Sequence, residues 1–152
     1  MSSNVNTDQL EAGDELDPLD LHITAEFNES ILQSIEDLHP RYMTTGPDHA
    51  PIVHPALLIV FSNLTRSPSF RLIPGAAAVQ THDDVRMLKP VPVGETVTIT
   101  WKVIETYERR NRPYQVMDTH IVDPHGDTVL TRRTTNTFMA GKIPMPVDIG
   151  GS

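Results

Sequence analysis

IVHPALLIVFSNLTRSPSFRLIPGAAAVQTHDDVRMLKPVPVGETVTITWKVIE, residues 52–105, holds the pattern that decides the fold. Pro55 suits the first turn of a helix, where its missing N–H costs nothing. Residues Ala56 to Phe61 are all apolar, and a helix apolar on every side must be covered on every side. In a chain this small, a sheet has to do the covering. A helix over residues 55–65 would run roughly 16 Å at ~1.5 Å per residue, a match to strands of ordinary length. A loop closing on Pro74-Gly75 follows, then a strand from Ala76 to Met87 that carries Asp83 and Asp84, then a Pro-x-Pro-x-Gly turn at residues 90–94. From Glu95 to Glu105 the pattern has a period of two, with Val97, Ile99, Trp101 and Val103 on one face and Thr98, Thr100 and Lys102 on the other.

Outward from this stretch, two more strands are predicted. Tyr114 to Val122 pairs through a turn at Arg109–Pro113, and Thr128 to Phe138 pairs through Asp123-Pro124-His125-Gly126. Proline second and glycine fourth suit a type I turn. Short connections imply antiparallel hairpins. Upstream, Leu19–Ala25 reads as an edge strand. Asn28-Glu29-Ser30 opens a helix carrying Ile31, Leu32, Ile35 and Leu38, ended by Pro40. Residues 41–53 read as loop. The fold class is α+β: a long central helix wrapped by a curled antiparallel sheet.

The chain has 152 residues, 38% of them hydrophobic, enough for one core and too few for two ordinary domains. Its net charge of −8 is uneven. Residues 1–40 hold ten acids and no Lys or Arg. All twelve Lys and Arg lie in residues 41–152 against the other ten acids, a balance of +2 there. Residues 1–18, polar and acidic, read as a disordered leader with residues 19–140 as the single domain and residues 141–152 as an irregular tail. No Lys/Arg-rich face marks a nucleic-acid partner. There is no cysteine, so no disulfide and no thiolate site. No apolar run approaches the ~18 residues of a membrane span. The expectation is a soluble, cytoplasmic protein without nucleic acid or membrane as partner.

The segments PIVHPALLIVFSN, IPG and VRMLKPVPVGETVTI, in this order, resemble the MaoC-like branch of the hot-dog family, which includes (R)-specific enoyl-CoA hydratases and 3-hydroxyacyl dehydratases. The resemblance runs from about Ile31 to Phe138. It implies a hot-dog fold, an acyl-CoA or acyl-carrier thioester as substrate, no cofactor, and a homodimer or a heterodimer with a second hot-dog subunit. Edge-to-edge pairing of two sheets would cover the exposed edge strand, with the acyl tunnel between protomers.

The family's hydratase signature, Asp-x-Asn-Pro-x-His, is matched best by Asp37-Leu38-His39-Pro40-Arg41-Tyr42. Asp37 and Pro40 agree. His39 stands in place of Asn, and Tyr42 in place of the His. In the family the Asp and His activate the water that adds to an enoyl thioester. His titrates near neutrality, whereas Tyr, with a pKa near ~10, is a poor base. A rival match, Asp48 to His54, carries one extra residue. His54 corresponds to the family's helix-opening His. The Gly that follows in the family donates its N–H to the thioester carbonyl, but Pro55 has none to give, and Ala56 serves only with a shifted backbone. Loss of such a donor costs on the order of 10²–10³ in rate. Asn63 stands where the family places a small polar residue facing the thioester. The catalytic candidates are therefore Asp37, Tyr42 and His54, and the substrate-binding candidates His39, Pro55, Ala56, Asn63, Arg109 and Arg110.

Apart from Pro55 and Ala56, these have plainer alternatives: Asp37 as a solvated helix end, Tyr42 as a packing residue, His39 as an exposed loop residue, His54 as a helix cap, Asn63 bound to backbone. Arg109 and Arg110 stand in a turn or contact a phosphate of the carrier. The seven histidines show no tight ligand spacing, so no metal is expected. Three functions follow: a hydratase/dehydratase; a non-catalytic hot-dog subunit that pairs with a catalytic one and lines its acyl channel; and, third, an acyl-CoA thioesterase.

Overall fold

The computed structural model describes residues 5–43 and 51–139. Five strands form one antiparallel sheet: β1 (Glu15–His22), β2 (Ala77–Met87), β3 (Thr96–Arg109), β4 (Arg112–Val122) and β5 (Thr128–Met139), in the order β1-β3-β4-β5-β2. Three helices accompany it: α1 (Ala25–Ile35), α2 (Pro40–Met43) and α3 (Pro55–Phe61). Val97, Ile99, Trp101 and Val103 all turn inward and are at most 1% exposed, as the period-two pattern requires. Against them packs α3, with Leu57 and Leu58 buried.

The helix is shorter than its composition suggests. It ends at Phe61, a 3₁₀ turn at Leu64–Arg66 follows, and Val60 is 42% exposed, so one side is left open by a single chain. The buried C-terminal end of α3 leaves carbonyls that need donors. Two inward side chains of the sheet supply them. Trp101 Nε1 donates to Ser62 O at 2.9 Å, and Arg132 Nη1 donates to Ile59 O at 2.8 Å and to Ser62 Oγ at 2.8 Å.

Both hairpins follow from local chemistry. Between β3 and β4 the turn is only Arg110-Asn111, both at positive φ (52° and 61°), the two-residue turn that matches strand twist. The strands thus extend to Arg109 and Arg112, beyond the wider turn expected. Between β4 and β5, Asp123 Oδ1 accepts N–H bonds from His125 and Asp127, and Gly126 takes φ 87°. Lys89 Nζ donates to Asp123 Oδ2 at 2.6 Å, tying the β2–β3 connection to this turn.

Several expectations are corrected. Within residues 1–18, the described part is not a disordered leader: Thr7–Gln9 forms a 3₁₀ turn, Thr7, Leu10 and Leu16 are buried, and β1 begins at Glu15 rather than Leu19. Two leucines and backbone pairing with β3, with a register shift at Asp17-Pro18, outweigh the acidic composition. The first helix is capped by Thr24, whose Oγ1 accepts from Phe27 N at 3.1 Å, not opened by Asn28, and it ends at Glu36 in a left-handed conformation (φ 58°). Pro40, expected to end the first helix, instead opens α2, which takes in Arg41, Tyr42 and Met43 from the stretch expected as loop. The tail from residue 140 onward lies outside the described residues, as do Asp48, His49 and Ala50 of the rival signature.

Candidate functional site

Three segments converge in front of α3, and Asn28 holds them together. It lies on the inward face of α1, one turn before Leu32, and is 1% exposed. Its Oδ1 accepts the backbone N–H of His54 at 3.0 Å, and its Nδ2 donates to Tyr42 O at 3.2 Å and Ile52 O at 3.5 Å. With its amide bonded on both sides, Asn28 avoids the penalty of an unpaired buried polar group and ties α1 to α2 and to the Ile52–His54 stretch.

Within this frame Asp37 and His54 meet: His54 Nε2 lies 2.8 Å from Asp37 Oδ2. The second ring nitrogen, Nδ1, accepts the N–H of Ala56 at 3.0 Å. A nitrogen that accepts an amide N–H carries no proton, so Nε2 carries it and donates to the carboxylate; the tautomer follows from the partners. Asp37 Oδ1 accepts from His39 N at 3.3 Å. Its carboxyl is held below the ordinary value, first by the His54 hydrogen bond, against partial desolvation, and further by the His39 backbone N–H. Tyr42 lays its ring against His54, centroids 4.6 Å apart, and the His39 ring meets Tyr42 edge-on at 6.1 Å. Beside Pro55 an apolar groove of about 290 Å³ is lined by Val53, Leu58, Met87, Leu88 and Val91.

The structure thus brings Asp37, Tyr42, His54, Pro55 and Ala56 together, with His39 at the rim. Two functions expected of them change. Ala56 N–H is consumed by His54, so it has no donor to offer a carbonyl. His39 turns back on its own loop, its Nδ1 accepting from Arg41 N at 3.2 Å.

Asn63, Arg109 and Arg110 are not brought to this site within one chain. Asn63 falls past the end of α3 and uses its Oδ1 to cap the following turn, accepting from Thr65 N at 3.0 Å and Thr65 Oγ1 at 2.9 Å. Ser62, one residue earlier, is the buried polar group here. Arg109 ends β3 and Arg110 opens the turn after it, whereas His54 is tied to the strand's other end through Val53 N–Val91 O and Pro51 O–Val93 N. Fourteen residues of strand separate the two ends, on the order of 45 Å at ~3.3 Å per residue.

Sequence reasoning missed Asn28 and Arg132. The signal for each is a polar residue at an inward position: Asn28 on the stripe with Ile31 and Leu32, Arg132 in the alternation Leu130, Arg132, Thr134. Arg132 also makes a two-pronged pair with Asp83 of β2, both bonds 2.8 Å. Asp83 therefore faces this cation from the edge strand. Among the described residues no cluster of His, Asp or Glu could hold a metal ion, and no helix is long and apolar enough to cross a membrane.

No family model matches the chain, and no curated protein matches it in sequence. Solved structures do match. The (R)-hydratase from A. caviae involved in PHA biosynthesis superposes with TM-score 0.68 at 25% identity, covering 84% of this chain and 96% of that one. The fold is that of the MaoC-like hot-dog family. An R-hydratase from Pseudomonas aeruginosa aligns over 93% of this chain and 94% of its own, with TM-score 0.70 and 17% identity. The HadBC complex, a 3R-hydroxyacyl-ACP dehydratase from Mycobacterium tuberculosis, aligns over 86% of this chain and 98% of its own, with TM-score 0.69 and 17% identity.

Proposed function

We propose that this chain is an acyl-thioester-binding subunit of a MaoC-like hydratase/dehydratase, one that pairs with a second, catalytic hot-dog subunit and lines its acyl channel. The observation that carries this reading is the closed first turn of α3. Pro55 brings no N–H, Ala56 N–H is held by His54 Nδ1, and Leu57 N–H is held by His54 O at 3.1 Å. A thioester carbonyl set there meets no donor for the charge it develops, and such donors are a large part of catalysis of this kind.

Proton transfer is weakened as well. Nδ1 of His54 is occupied, and Asp37, held below the ordinary carboxylate value, is a weak base far from the neutral range where a general base works best. The apolar groove beside Pro55 suits a hydrocarbon acyl chain, and paired subunits of this fold occur in the HadBC dehydratase. The free edge of β2, eleven residues long and mostly exposed, offers the pairing surface.

The test is hydration of crotonyl-CoA and longer enoyl-CoA esters by the purified chain alone, read as loss of the enoyl absorbance. No turnover is expected, while a non-reactive acyl-CoA thioether still binds. A second reading, an enzyme active by itself, is favoured by the 2.8 Å Asp37–His54 contact. It requires turnover that Asp37→Asn abolishes.

A further inference from the structure

The turn between β3 and β4 breaks two local rules in one place. Arg109 and Arg112 face each other as the last cross-strand pair of the hairpin, and like charges set directly opposite destabilise a sheet. Arg110, between them, holds φ at 52°, in the left-handed region where a two-residue turn favours Asn, Asp or Gly. All three arginines are exposed, and among the described residues none has an ion pair or a side-chain hydrogen bond. Arg132 and Arg133, by contrast, are each held by an aspartate. Departures from local preference collect at functional sites, and three unpaired guanidiniums gathered this way call for an anion.

The surroundings say which anion fits. Two residues back on each strand, and so on the same face as the Arg109–Arg112 pair, Tyr107 and Tyr114 stack with centroids 5.1 Å apart and planes 6° off parallel. This stack stiffens the hairpin below its tip and sets ring surface beside the charge. Glu108, the acid next in sequence, faces Pro113, and the strand alternation puts it on the opposite face. Guanidinium forks match phosphate oxygens, and three of them carry more charge than one carboxylate neutralises. The tip stands at the other end of β3 from the groove beside Pro55, so it does not serve that groove within one chain. Two-fold pairing of like sheets through β2 runs the edge strands antiparallel and turns one sheet end for end. The tip then lies at the end of the joined sheet where the other subunit's α3 begins.

We propose that the Arg109–Arg112 tip is a polyphosphate clamp that takes the diphosphate of a coenzyme A-type carrier. The identity of the carrier rests on the function proposed above. The clamp itself rests on the turn.

The experiment is an NMR titration of the full chain at physiological salt, read at the arginine side-chain N–H groups. The probes are pyrophosphate, coenzyme A and, as the phosphate-free control, pantetheine. Saturating shifts at Arg109, Arg110 and Arg112 are expected with the first two and none with pantetheine. Arg110→Asn should weaken both roughly fivefold or more. It should also raise the thermal midpoint, because asparagine takes the left-handed turn more readily and one of the crowded charges is gone. Arg86→Gln, an equal charge loss on β2, should leave both affinities unchanged. Shifts that never saturate, equal weakening in the two variants, or saturation by pyrophosphate without coenzyme A would overturn the proposal. So would a lower midpoint in Arg110→Asn, which assigns that arginine to the fold. Turnover of crotonyl-CoA by the chain alone removes the subunit reading and leaves the clamp in place; a silent tip does the reverse.

Discussion

His39 and His54 each stand directly before a proline that opens a helix, and each uses Nδ1 to accept the N–H of the residue after that proline. This is the turn that Asn and Asp side chains often make, formed twice by histidine. The repeated His-Pro dipeptide is visible in the sequence, whereas the Asp37–His54 bond is not, because seventeen residues separate the partners. Asn28 supplies the link between their segments. Replacing Asn28 by Ala would leave the His54 N–H without its acceptor inside the protein, so a loss of about 1–3 kcal/mol is expected in urea unfolding. A change below a few tenths would show that the three segments hold without it. The acid limb of stability also belongs at this scale. Asp123, 2% exposed at its side chain, is held below its ordinary value of 3.8, first by the Lys89 hydrogen bond and then by two backbone N–H groups; Asp37 is held below it by His54. A carboxyl lowered on folding contributes stability that is fully present above the unfolded value and is lost as pH falls through the folded one. Thermal midpoints should therefore be level above about pH 4.5 and fall below pH 3.8, and Asp123→Asn should flatten that fall.

At the scale of elements, β3 and α3 carry their signals in full, and the structure differs from expectation at their ends. Period-two alternation marks the inward face of Thr96–Arg109, and Trp101 lands where the pattern puts it. Apolar composition marks α3 but says nothing about where it stops. The stop depends on Trp101 and Arg132 reaching across from the sheet to its last carbonyls, a tertiary fact. Asn63 lies two turns along only if the helix continues, and α3 has already ended at Phe61. Arg132→Met would strip the end of α3 of a donor and leave Asp83 unpaired. Breaking a buried pair from one side costs about 3–5 kcal/mol, and partial exposure of Asp83 places the expected loss at about 3 kcal/mol. Adding Asp83→Leu should recover part of it. No recovery in the double variant would mean that the helix end, not the charge left behind, sets the loss.

For the whole molecule, the order of segments was enough to read the hot-dog plan, because only a sheet can cover so apolar a helix in so short a chain. Composition misled at the N-terminus. Ten acids without a counter-charge in residues 1–40 suggest a solvated arm, yet Thr7, Leu10 and Leu16 sit in the core region and β1 completes the sheet beside β3. Alternating polar and apolar residues in Glu15–His22 were the usable signal, obscured by Pro18 at the register shift. Deleting residues 1–12 should cost at least the roughly 1.5–3 kcal/mol of burying one leucine, read by denaturant unfolding; unchanged stability would return these residues to the status of a leader. The exposed edge of β2 makes a further prediction at this scale. On the proposed pairing with a catalytic subunit through this edge, Val79, 40% exposed there, changed to Lys should abolish the complex in light scattering without unfolding the chain. A complex that persists would place the interface elsewhere.

The claim on which the functional account rests is that the closed first turn of α3, with Tyr42 at the signature position, keeps this chain from hydrating an enoyl thioester alone. Pro55→Gly with Tyr42→His restores a backbone donor and a histidine where the family has them. Crotonyl-CoA hydration by purified chain should be absent before the double change and rise on the order of 100-fold above background after it. Brisk hydration by the unaltered chain would contradict the account.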